Sequence, residues 1–87
     1  MTDQSQFRIE GNFVLSDGTV GVYGTVESGT IRFGARLRGP AGAWNLLRIE
    51  DLRELLPAVH AGDTSIRLIL DEARQEDLPA GTILHAV

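Results

Sequence analysis

The stretch GTVGVYGTVESGTIRFGARL, residues 18–37, decides the fold. Val20, Val22, Gly24 and Val26 stand two apart, Glu27-Ser28-Gly29 interrupts them, and Ile31, Phe33, Ala35 and Leu37 resume the alternation. Successive side chains of a strand point to opposite faces, so this spacing predicts two strands joined by a tight turn. The habit extends outward in both directions. Phe7, Ile9, Phe13 and Leu15 alternate before a turn at Ser16-Asp17-Gly18. After residues 39–43 come further runs over 44–49, 65–70 and 82–87. Six short runs bounded by Gly, Pro, Asp and Ser, with no long amphipathic helix, predict an all-β chain, a barrel or a sandwich. Closure into a barrel removes the exposed edges that a small β domain must otherwise protect.

Two segments break the pattern. Residues 50–56 carry Leu52, Leu55 and Leu56 at helical spacing and stop at Pro57, which reads as a helical turn or a strand end rolling into a loop. Residues 71–79 are polar and acidic, a loop with one turn of helix. Residues 1–6 are expected to form a disordered tail, and residues 7–87 a single domain.

Composition narrows the function. The chain has 87 residues, enough for one small core, and its hydrophobic share of 43% is that of an ordinary folded protein. It has no cysteine, which excludes disulfides, thiolate catalysis and thiolate zinc sites. No apolar run approaches the roughly 20 residues that span a bilayer, and the polar N-terminus has no leader pattern, so a cytoplasmic protein is expected. The net charge is −4, and every basic residue is arginine. Residues 1–48 carry five arginines against four acids, and residues 49–87 three arginines against eight acids. Proteins that live on phosphate attraction carry a basic surplus, so any nucleic-acid contact here must rest on a local site.

Catalytic candidates are few. Gly18, Gly21 and Gly24 lack the helix or the Gly-Lys-Ser/Thr ending that a phosphate loop needs, so bends and close packing are the better reading. His60 and His85 have no evident metal partners, and Ser16-Asp17 reads as a turn pair without a base. Asp71, Glu72, Glu76 and Asp77 lack the ligand order of a calcium loop. Neither an enzyme nor a cofactor or metal site is expected. Arg32, Arg36 and Arg38 fall on one side of the third run, either a solvated outer face or an interaction face for phosphates or carboxylates.

The opening stretch resembles the second-domain barrel of the translational GTPases, above all that of elongation factor Tu. The shared features are Val22-x-Gly24-x-Val26, Glu27-x-Gly29 and Ile31-x-x-Gly34-x-x-Leu37. IEDLRELLPAVHAGD at 49–63 and EDLPAGTILHAV at 76–87 resemble later segments of the same domain, so the likeness covers residues 7–87. It implies a small, six-stranded, antiparallel closed β-barrel with Gly29 and Gly34 at turns. It also places Glu50 and Arg53 where that family holds the 3′-terminal adenosine and aminoacyl end of tRNA, with Thr64 in the place of an asparagine. A local Glu50–Arg53 ion pair that pins the loop is the structural alternative.

Departures limit the analogy. No Gly-Lys-Ser/Thr loop is present, so GTP binding is not expected, and Asp17-Gly18 replaces the family's basic residue and glycine. The expectation is a freestanding binding module contacting a tRNA end, other RNA or the ribosome through Glu50, Arg53 and Thr64. The alternative is a protein-interaction or accessory module that uses the barrel as a scaffold, in an oligomeric state the sequence does not define.

Overall fold

The computed structural model of the chain describes residues 5–52 and 54–87. β1 (Gln6–Val14) and β2 (Val20–Ser28) form a hairpin. β3 (Thr30–Arg32), β4 (Arg36–Gly39) and β5 (Gly42–Asp51) follow, then β6 (Glu54–Leu55), β7 (Ala58–His60) and β8 (Ile66–Leu70). A single 3-10 turn at Gln75–Asp77 precedes β9 (Ile83–Ala86). Neighbours run in the order β4-β9-β1-β2-β8-β5, and β4 also pairs with β5, so six antiparallel strands close on themselves. This is the closed six-stranded barrel that the resemblance to the translational GTPase domain implies, and one of the two architectures the alternation allows. β6 folds back on the end of β5, and β3 pairs with β7 as a separate ribbon.

Alternation along each strand sends one face inward. Phe7, Ile9, Val22, Val26, Leu37, Trp44, Leu46, Ile49, Ile66, Leu68, Leu70 and Leu84 fill the interior. Ile31 and Val59 from the ribbon and Leu78 from the loop before β9 join the same cluster. That loop is held by Asn12, whose Nδ2 donates to the Leu78 carbonyl at 2.9 Å and whose Oδ1 accepts from Gln75 Nε2 at 2.9 Å.

The third alternating run is not one strand. Gly34, at φ +86°, turns the chain after Arg32, and the Ala35 N–H donates to the Arg32 carbonyl at 3.0 Å. β3 therefore joins the ribbon and β4 the barrel, and Phe33 at the bend is 63% exposed instead of core-facing. Gly29, at φ +70°, makes the turn expected of it. Residues 50–56 take the second of their two readings: β5 ends, the chain turns at Leu52, and β6 pairs back. Of the expected tail, residues 1–4 lie outside the described residues, while Ser5 is buried and Gln6 opens β1. Ser5 Oγ accepts the Thr30 N–H at 3.1 Å and so ties the chain start to the ribbon.

One close approach shapes the first hairpin. Pairing steps from Ile9↔Gly24 to Gly11↔Tyr23, which leaves Glu10 as the extra residue of a bulge. A Cβ on Gly24 would strike the Arg8 carbonyl oxygen across the gap. Gly24→Ala should therefore destabilise the barrel by about 1–3 kcal/mol, the usual cost of forcing atoms into a filled site, measured as a lower urea midpoint of Trp44 fluorescence.

The β1–β2 turn adds a pH signature. Hydrogen bonds from the hydroxyl and the backbone N–H of Thr19 hold the Asp17 carboxyl below its ordinary value of 3.8. A carboxylate favoured by the fold stabilises it above the unfolded-state value, and that contribution is lost as pH falls through the lower folded one. An NMR titration should place the Asp17 midpoint below 3.8, and Thr19→Val should move it back up.

Candidate binding site

The outer face of β1, β2, β8 and β5 carries side chains aligned by strand register. Gly11 pairs with Tyr23, Tyr23 with Arg67, Arg67 with Glu50, and Glu50 with Leu55. One residue row thus crosses five strands on one face. The next row runs Phe13, Gly21, Ile69, Arg48.

Two glycines make this surface flat. Gly11-x-Phe13 on β1 meets Gly21-x-Tyr23 on β2, so antiparallel pairing sets each aromatic ring opposite the other strand's glycine. A Cβ on Gly11 would run into the Tyr23 ring, and one on Gly21 into the Phe13 ring. Each ring therefore lies over bare backbone. The two are stacked with centroids 6.5 Å apart and planes 24° from parallel. Ile69, on the outer face of β8, is only 1% exposed; its Cδ1 would sit 2.9 Å from a Cβ on Gly21. The rings thus rest on a small apolar cluster outside the barrel.

Charge borders the rings. The Arg67 guanidinium lies 5.5 Å from the Phe13 centroid, within cation–π range. Glu50 is half-buried, and its Oε2 meets Arg48 Nε at 3.1 Å. Arg48 can reach it because a register shift between Leu46 and Arg48 turns both Leu47 and Arg48 outward. Phe13, Tyr23, Arg67, Leu52 and Ser65 enclose an open groove of about 460 Å³. Leu52 (φ +59°) and Ser65 (φ +57°) stand on its rim in the left-handed region, which costs a branched residue such as Leu about 1–2 kcal/mol. Leu52 is also 85% exposed.

The predicted residues are partly brought together. Glu50 lies in the row beside Arg67, and Thr64 is exposed immediately before Ser65. Arg53 lies outside the described residues. Among the described residues, Glu50 pairs with Arg48. Arg36 and Arg38 share the outer face of β4, where Arg36 Nη1 donates to Asn45 Oδ1 at 3.1 Å, but Arg32 belongs to the ribbon. Tyr23 and Arg67 escaped the sequence reading, and Phe13 entered it only in the alternating run with Phe7 and Ile9, from which the bulge at Glu10 turns it to the outer face. The signal that reveals them is the repeated Gly-x-aromatic pattern at 11–13 and 21–23. Among the described residues no His, Asp or Glu cluster can hold a metal ion, and no helix is long and apolar enough to cross a membrane.

No family model and no curated protein matches the sequence. Solved structures do. Translation elongation factor SelB from Methanococcus maripaludis superposes with a TM-score of 0.82 at 19% identity, over 94% of this chain and 18% of that one. GDP-bound aIF5B from Aeropyrum pernix gives 0.75 at 24% identity, over 99% of this chain and 15% of that one. The chain thus spans under a fifth of either protein. Its fold is that of a barrel domain in the translational GTPases, similar to the second domain of elongation factor Tu.

Proposed function

We propose that this barrel is a non-enzymatic binding module that holds a single-stranded RNA end, such as a tRNA 3′ terminus, on the Phe13–Tyr23 face. The observation that carries the reading is an aromatic pair laid flat over glycines, with Arg67 at its edge and Glu50 in the same row. Unpaired bases offer π-faces that stack on such rings, each contact contributing about 1–3 kcal/mol. Glu50 supplies an acceptor for a ribose hydroxyl or a base amino group, and Thr64 and Ser65 add hydroxyls at the rim. The local arginines supply attraction that the net charge of −4 does not. The structural likeness to translation factors supports this setting, in the cytoplasm beside tRNA or the ribosome.

A second reading, a protein-docking scaffold, draws support from Leu52 and Leu55, which expose 85% and 68% of their surface on the β5–β6 hairpin. Salt separates the two. Affinity for a short RNA with a free 3′ adenosine, followed by fluorescence anisotropy, should fall as salt rises. Tyr23→Ala should weaken it by about 5- to 150-fold, the equivalent of one lost stack. Glu50→Gln should narrow the preference for RNA over DNA of the same sequence. Binding that ignores Tyr23→Ala would remove the RNA reading, and a salt-insensitive protein complex lost on Leu52→Asp would replace it.

A further inference from the structure

Across the barrel from the aromatic face, β4 and β9 carry a second concave surface. Going round the six strands, β4 stands three places from β2 and β9 three places from β8, with β1 between β9 and the Tyr23 strand. Here Arg38 pairs directly with His85, and His85 with Gln6. An open groove of about 550 Å³ runs along this pair, ending at the Gly39-Pro40 and Gly81-Thr82 turns. None of its lining residues is acidic.

The neighbouring cations are already engaged. Arg8 meets Glu27 at 3.3 Å, and Arg36 donates to Asn45. By contrast, among the described residues the side chains of Arg38 and His85 make no ion pair or side-chain hydrogen bond. The acids of the β8–β9 connection, Asp71, Glu72, Glu76 and Asp77, do not line the groove. An overall acidic protein therefore keeps one locally basic hollow, holding a rigid guanidinium fork, an imidazole and the Thr82 hydroxyl.

We propose that this groove binds a phosphate group, with Arg38 and His85 as its ligands and Thr82 as an additional donor. A guanidinium and an imidazole on paired strands and a hydroxyl on the adjoining turn line one groove, and a phosphate, with several acceptor oxygens, can accept from all three. Ile83 and Pro40 add apolar wall beside those donors. The phosphate is either a free ion or one unit of a polynucleotide backbone, and the experiment distinguishes the two.

The test follows side-chain NMR signals of Arg38 Nε and the His85 ring in the full chain, titrated with inorganic phosphate and, separately, with a short oligouridylate. Both titrations use Tyr23→Ala, which weakens binding at the aromatic face, and shifts are read at Arg38, His85 and Thr82 so that failure of either site is read by itself. The expected result is saturable shifts confined to Arg38, His85 and Thr82. Arg38→Gln should weaken binding about tenfold or more, as for a lost hydrogen bond to a charged group, and Arg38→Lys by less. His85→Asn provides the second variant, and unchanged backbone spectra elsewhere establish that each variant folds. A response to inorganic phosphate assigns a free-ion site, and a response to the oligomer alone assigns a backbone contact. The proposal is overturned by silence at Arg38 and His85 with both ligands, or by shifts that persist in both variants.

Discussion

The barrel closes through four residues. β4, Arg36–Gly39, bonds to β5 on one side and β9 on the other, and without it the remaining strands would be an open sheet with two exposed edges. Leu37 anchors it: wholly buried, it inserts between Trp44 and Ala86, its partners in the two neighbouring strands. The Val87 N–H donates to the Arg36 carbonyl at 2.9 Å and extends the seam by one bond. Closure fixes the tilt of every strand, and with it the rows of outward side chains that form both surface sites. The interior follows from the same constraint, since only small or well-placed side chains fit where β1 and β2 meet at Gly24.

Much of this architecture was legible from period-two spacing. Five of the six alternating runs each supply one closed strand and the end of the third supplies β4, while Gly29 and Gly34 turn where the family resemblance implies. The misreading at Ile31–Leu37 has a plain cause. Alternation continues through Phe33 and Ala35 in the sequence, but Gly34 at positive φ divides the run between two sheets, and periodicity does not register a change of sheet. The role of Ser5 was not legible because a serine that bonds a neighbouring strand resembles any polar residue until its partner Thr30 is known.

The site was less legible than the fold. Glu50 was placed by resemblance alone; its row with Arg67 and Tyr23 depends on the pairing of three strands distant in sequence. Arg67 is unremarkable in the chain and acquires meaning only over the Phe13 ring. Reciprocal glycines were present in the sequence, yet Gly21 was read only within its own strand and Gly11 was not singled out. The pattern becomes informative when the two strands are laid side by side in register, a two-dimensional feature that a one-dimensional scan does not contain.

Placing the rings over glycine also joins two properties that proteins often keep apart. Tyr23 and Phe13 shield the backbone amides of the β1–β2 hairpin from water, and the same rings form the surface offered to a ligand. A molecule settling there adds a further layer over those amides and binds only the closed hairpin. Occupancy and hairpin opening are therefore thermodynamically linked, so exchange of the amides around Gly11 and Gly21 slows in proportion to ligand bound.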